Sequence, residues 1–176
     1  RGLVKRGYKE IILIAQNVNS YKSGTNDFAD LLKSVNDITG DFWVRFLTSH
    51  PKDMSQKLIK TVAGCEKVCQ QIHLPAQAGD DEILKKMNRK YTSSDYVKLI
   101  DKISQAMPEA SFTTDIIVGF PGETKKQFNN TVKLFKLAKF GMAYISKYSP
   151  RPGTAAFKLT DNVTSQEKEK RQNKLE

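Results

Sequence analysis

The chain has 176 residues, 39% of them hydrophobic and 27% charged, the balance of a folded domain with its own core rather than a disordered or fibrous chain. No apolar run reaches the length of a membrane span and no secretory leader is visible, so no membrane partner is expected. The net charge of +10 favours a polyanionic partner such as RNA, and two cysteines without a disulfide framework fit a reducing cytoplasm.

The chain opens on "RGLVKRG" without a start methionine, so it is expected to be part of a longer protein. That opening reads as the last turn of a helix ended by Gly7. The first strand is predicted at Glu10–Ala15, "EIILIA". Asp27 then caps a helix whose apolar stripe is Phe28, Leu31, Leu32 and Val35. A second strand follows at Phe42–Leu47. Asp53 is placed to cap a helix over Met54–Ala63, with Gly64 ending it in the left-handed conformation. The third strand is Gln71–Pro75. An extra helix comes next, with Asp80, Asp81 and Glu82 at its positive end and Lys85, Lys86 and Arg89 near its negative end. Thr92 precedes a helix with Tyr96, Ile100, Ile103 and Met107 on one face, stopped by Pro108. The fourth strand is Phe112–Val118. Thr124 and Gln127 form a capping-box pattern ahead of Phe128, Val132 and Phe135, with Gly141 closing that helix. A fifth strand at Ala143–Tyr148 precedes a charged helical stretch, Ser165–Glu176. Strands alternating with helices, each strand a near-continuous apolar run, imply a parallel sheet of α/β class.

Either a barrel or an open doubly wound sheet would satisfy this rhythm. No G-x-G-x-x-G follows the first strand, which disfavours the dinucleotide-binding version. In barrels the chemistry gathers at the C-terminal strand ends. Here those ends are polar and rich in Gly and Pro: "QNVNS", "TSHP", "PAQAG", "GFPGET" and "SPRPGT". In Gly119-Phe120-Pro121-Gly122, side-chain-free backbone could lie against a flat ligand while Pro121 holds the shape; a tight turn leading into a helix N-cap explains the same residues. His50 and His73 each end a strand and could ligate a metal in a barrel hydrolase. No third ligand accompanies them at a suitable spacing, and a packed role fits as well. Trp43, Tyr144 and Tyr148 could stack a base or simply fill the core.

Five stretches in order, "LIAQNVNSY", "FLTSHP", "IHLPAQAGDDEILKKMNRKYT", "FTTDIIVGFPGET" and "YSPRPGT", resemble the radical S-adenosylmethionine methylthiotransferases, with the likeness running from Leu3 to about Phe157. The resemblance implies a partial (β/α) barrel of the TIM type over residues 1–160. The first strand and its cluster loop would lie outside the chain, and residues 161–176 would begin a helix leading toward a TRAM domain. It implies S-adenosylmethionine and two 4Fe-4S clusters as cofactors, with the cluster ligands elsewhere in the full enzyme. One electron, from a donor such as flavodoxin or ferredoxin, would cleave the cofactor to a 5′-deoxyadenosyl radical. The substrate would be isopentenyl-adenosine 37 in the anticodon region of tRNA; threonylcarbamoyl-adenosine and a ribosomal-protein aspartate are the substrates of related enzymes. A basic RNA-binding module without catalysis is the reading from a different class.

Carried onto matching positions, the resemblance sets Gln16 and Asn17 near the methionyl amino group and Gln77 near the ribose or methionyl group. Asp115, Gly119, Pro121, Gly122 and Glu123 fall on the adenine side. Arg89 and Arg151 are candidates for a carboxylate or an RNA phosphate, which the planar guanidinium fork suits. "AQAGDDE" departs from the family's usual Q-S-G-S, so contacts normally made by those serines are not expected here. Cys65 and Cys69 share the C-x-x-x-C spacing of a cluster motif, but Ile72 stands where the third cysteine belongs. They are expected to be structural residues at the N-terminal side of the third strand.

Overall fold

A computed structural model describes residues 1–47 and 49–176. Thr48, within the predicted "TSHP" loop, lies outside the described residues. In order, the elements are α1 (Gly2–Lys5), β1 (Glu10–Leu13), the short pair β2 (Lys22–Ser23) and β3 (Asn26–Asp27), α2 (Phe28–Asn36), β4 (Trp43–Phe46), α3 (Gln56–Gly64) and β5 (Gln71–His73). Then come α4 (Asp81–Lys86), α5 (Ser93–Ala106), β6 (Ser111–Val118), α6 (Lys125–Ala138), β7 (Met142–Lys147) and α7 (Ser165–Leu175). The chain forms two compact units. The first holds Arg1–Leu74 with Asp101–Phe112, the second Pro75–Ile100 with Thr113–Glu176.

In the first unit β1 pairs with β4 in parallel, Glu10 opposite Trp43 and Leu13 opposite Phe46. The next parallel contact is Val44 with Val68, where the chain enters β5. Neighbours in space are therefore neighbours in the strand–helix sequence, as the spacing predicts. Phe28, Leu32, Phe46, Leu58 and Ile72 are fully buried here, each contributing roughly 1.5–3 kcal/mol of transfer free energy. The Phe28 and Phe46 rings meet edge to face with centroids 5.4 Å apart.

In the second unit β6 and β7 run parallel from Thr113 opposite Met142 to Val118 opposite Lys147. Gln77 bridges Ile116 on the other side of β6. The buried cluster Ala78, Ile83, Leu84 and Phe120 lies beyond these strand ends, with Met87, Tyr91, Tyr148 and Ala156 packed against it.

Caps divide into those the sequence located and those it did not. Asp27 with Asp30, and Thr124 with Gln127, both close reciprocal capping boxes. Thr92 and Asp95 exchange bonds in the same way before α5. Asp53, by contrast, does not cap α3. Pro51–Asp53 forms a 3-10 turn, Met54 leaves helical geometry, and Ser55 Oγ accepts from Leu58 N–H at 3.1 Å. Asp53 instead accepts from Asn17 Nδ2 at 2.6 Å. Gly64 remains helical and Cys65 follows in extended form, so no left-handed glycine ends α3. Lys139, at φ +48°, closes α6 two residues before the expected Gly141. The β2–β3 hairpin turns on Gly24, at φ +58°, and the sequence reading had no strand there.

Candidate active-site cleft

The corner after β6 is held from within. Gly119 N–H donates to Glu123 Oε2 at 2.7 Å, and Gly122 N–H donates to Asn162 Oδ1 at 2.8 Å. Both glycines adopt positive φ, +70° and +78°, which other residues rarely take. A Cβ on Gly119 would collide with the Lys168 stem, whereas one on Gly122 would meet only Lys86 Nζ, at 3.2 Å. Glu123 differs from its expected place against a ligand. Its side chain is 1% exposed and pairs with Arg171 Nη1 at 2.7 Å, itself 6% exposed. Arg171 also donates to the Glu123 carbonyl and to Glu167. Burial pushes the Glu123 carboxyl above its ordinary pKa, against the Gly119 amide and the Arg171 guanidinium, which pull it down. Glu123 and the buried Pro121 thus shape the corner from behind.

In front of the corner, in the second unit, lies a cleft of about 750 Å3. Gln77, Asp115, Phe120, Tyr148, Arg89 and Arg151 line it, and Lys86 and Lys147 add positive charge. Four of the sequence-predicted residues, Gln77, Asp115, Arg89 and Arg151, are therefore brought together; Gly119, Pro121, Gly122 and Glu123 stand behind. Gln77 is held at φ +66° by its N–H to the Asp115 carbonyl at 2.8 Å and by Ile117 N–H to its own carbonyl at 2.9 Å. Arg89 is half-buried, and its Nε finds no hydrogen-bond partner among the described residues. Phe120 and Tyr148 meet edge to face with centroids 5.2 Å apart, and Tyr148 Oη donates to the Ala156 carbonyl at 3.0 Å. Tyr91 donates to the Pro75 and Ala76 carbonyls under the same cluster, and burial pushes its hydroxyl up to about 12.

Gln16 and Asn17 belong to the first unit, Gln16 exposed and Asn17 tied to Asp53. His50 Nδ1 accepts from Lys52 N–H at 3.2 Å. Cys65 is buried, and burial raises its thiol pKa; Cys69 N–H bonds the Val44 carbonyl at 2.9 Å. Among the described residues no group of three or more His, Cys, Asp and Glu could hold a metal ion. Sequence reasoning missed the role of α7. Lys168 sits 5.3 Å over the Tyr148 ring, donates to the Tyr148 carbonyl at 3.3 Å and pairs with Asp161 at 2.5 Å. The i,i+4 spacing of Glu167 and Arg171 was legible, but in "SQEKEKRQNKLE" nothing marks two cations as buried.

Parallel strands joined by helices, with a cleft of amide, carboxylate, guanidinium and aromatic groups beside their ends, make this an α/β protein of the partial (β/α) barrel class. The chain belongs to the radical SAM superfamily, whose description matches residues 1–135. It is 52% identical over 178 aligned residues to a tRNA-2-methylthio-N(6)-dimethylallyladenosine synthase of Clostridium novyi. It is 49% identical over a like span to the protein of that name from Acetivibrio thermocellus. Each alignment covers 99% of this chain but only 39% and 37% of those relatives. Among solved structures, Escherichia coli coproporphyrinogen III oxidase, a radical SAM enzyme, superposes with a TM-score of 0.63 at 18% identity, over 82% of this chain and 34% of its own. That likeness concerns the fold.

Proposed function

We propose that this chain is the central part of a radical S-adenosylmethionine methylthiotransferase, and that the whole protein adds a methylthio group to C2 of N6-isopentenyl-adenosine in tRNA. The observation that carries this reading is 52% identity across 99% of the chain to a protein of that named activity. The cleft supports it. Arg89 Nε, without a hydrogen-bond partner among the described residues, suits the cofactor's methionyl carboxylate, Gln77 its ribose or methionyl group, and Asp115 with the corner its adenine. Bound beside a reduced iron–sulfur cluster, S-adenosylmethionine supplies one-electron chemistry for hydrogen abstraction. This chain's own residues bind and orient it, and the packed wall of Phe120 and Tyr148 excludes water from one side.

The cluster ligands are assigned to segments outside this chain, since its two cysteines cannot supply three. Residues 1–160 are assigned to the barrel and 161–176 to the approach to an RNA-binding domain. A flavodoxin or ferredoxin is the expected electron donor and the cytoplasm the expected compartment. No helix among the described residues is long and apolar enough to cross a membrane. The test uses the whole protein, reconstituted anaerobically with iron and sulfide and given tRNA bearing isopentenyl-adenosine. Nucleoside mass spectrometry should show the methylthio product. Product only on threonylcarbamoyl-adenosine tRNA or on a ribosomal-protein aspartate would move the assignment to a sister activity. Cluster-loaded protein that cleaves no S-adenosylmethionine would refute it.

A further inference from the structure

The cleft in the second unit carries more positive charge than its cofactor can use. Lys86, Arg89, Lys147 and Arg151 line it against one carboxylate, Asp115. S-adenosylmethionine brings a sulfonium and an ammonium against a single carboxylate, so it is itself a cation. Arg89 alone answers that carboxylate. Lys86, Lys147 and Arg151 remain, all exposed and none in a salt bridge among the described residues. Set around a bound cation they would repel it, so a site built for the cofactor alone has no use for them.

The backbone that carries these cations is fixed. Lys86 ends α4, and Lys147 ends β7, where the next N–H, from Tyr148, donates to the Val118 carbonyl at 2.9 Å. Arg151 lies between Pro150 and Pro152, and its carbonyl accepts from Thr154 Oγ1 at 2.8 Å and from Thr154 N–H at 3.3 Å. The bond from Tyr148 Oη to the Ala156 carbonyl ties the far side of that turn to the cleft wall. Three exposed cations from three elements, held on ordered backbone, fit a ligand of repeated negative charge. Deepening the tRNA reading above, on which it rests, we propose that Lys86, Lys147 and Arg151 hold backbone phosphates of the RNA strand beside the target adenosine and do not contact the cofactor. Phosphate contacts fix where a strand lies without reading its bases; here they would keep the target nucleotide at the cleft while Arg89 and Gln77 hold the cofactor.

The test uses the whole protein, reconstituted with its clusters, and a fluorescein-labelled anticodon stem-loop RNA bearing isopentenyl-adenosine. Fluorescence anisotropy across a salt series compares wild type with Lys86→Gln, Lys147→Gln, Arg151→Gln and the triple variant. All three side chains are exposed, so the variants should fold, and circular dichroism checks that they do. Each single change should weaken RNA binding and lower the slope of log affinity against log salt by roughly 0.7–0.9, and the triple change by about 2–3. Isothermal titration with S-adenosylmethionine alone should show an affinity unchanged or tighter in every variant, because the cofactor is a cation. If wild type binds RNA and the triple variant keeps the same affinity and slope, the proposal falls while the tRNA reading stands. A loss of S-adenosylmethionine affinity of about tenfold in any of the variants would make these cations cofactor ligands and overturn it too. If an acidic peptide, and not the RNA, binds wild type and is lost in the variants, the surface belongs to a protein partner instead. Wild type that binds no RNA at all would remove the tRNA reading and the proposal together.

Discussion

Arg171→Met tests whether α7 is structural to the corner. Both members of the Glu123–Arg171 pair are nearly out of solvent, at 1% and 6% exposure. Removing one partner of such a pair leaves a buried charge uncompensated and costs about 3–5 kcal/mol. Glu123 would keep its bond from Gly119 N–H and lose the guanidinium. Its escape is to take up a proton. Burial already raises its pKa above the unfolded value, so between those two values the native state binds more protons than the unfolded chain. Stability from this group is then present at low pH and lost as pH rises through the folded pKa. Arg171→Met widens that window by removing the charge that opposed it. Urea unfolding followed by circular dichroism should therefore show a large loss at pH 7 and a smaller one near pH 5, with the slope unchanged. Adding Glu123→Gln, which keeps an acceptor for Gly119 without a charge, should recover most of the loss at pH 7. A loss under about 1 kcal/mol, or a double variant no better than the single, would mean the pair contributes as little as a surface ion pair does, and the account of the corner would be wrong.

Three further outcomes follow from the same geometry. Gly79→Ala would bring a Cβ to 2.5 Å from Thr131 Cα and 2.7 Å from the Asn130 carbonyl, both helix backbone; melting should show a loss of about 1–3 kcal/mol or more. Gly122→Val, at φ +78°, should cost about 1–2 kcal/mol of fold stability but lower S-adenosylmethionine affinity in the whole enzyme by a larger factor, read by isothermal titration; intact affinity would make the corner a turn and nothing more. Asp30, Asp41, Asp95 and Glu167 are all held below the usual carboxylate range, by Lys57, Lys9, Thr92 and Arg171 respectively. The unfolded chain takes up those protons first, so the urea midpoint should fall as pH drops through the ordinary carboxylate range, the opposite sense to Glu123.

The strands were legible because each is a short, near-continuous apolar run bounded by turn residues, and each proposed run overlaps an observed strand. Only their ends moved, as at Glu10–Ala15 against Glu10–Leu13. Helices with a residue of strong capping chemistry at one possible position were found to the residue, as with Asp27 and Thr124. Where two cap-competent residues compete, as Asp53 and Ser55 do, sequence cannot choose, because the decision rests with a distant partner, here Asn17. The same limit hid half of the corner. The Gly-Phe-Pro-Gly stretch announces a rigid turn. That its glutamate faces inward depends on a cation 48 residues away, in a helix whose composition reads as solvated throughout.

Gln77 carries the strongest argument that the cleft is more than a gap between packed elements. Its backbone is locked on both sides by β6, at a φ of +66°. A non-glycine residue in that region is held there at about 1–2 kcal/mol, and glycine would take the same path without strain. Among the described residues two other non-glycine residues share positive φ, Asn88 and Lys139. Asn tolerates the region through its short polar side chain, and Lys139 is an exposed helix cap. Gln77 is neither: it is 8% exposed and lines the cleft beside Asp115. A long amide kept at a position where local backbone preference favours glycine makes sense if the amide itself is used. The pocket wall is where it can be used, and a ribose or methionyl group offers the hydroxyls and charges it would meet.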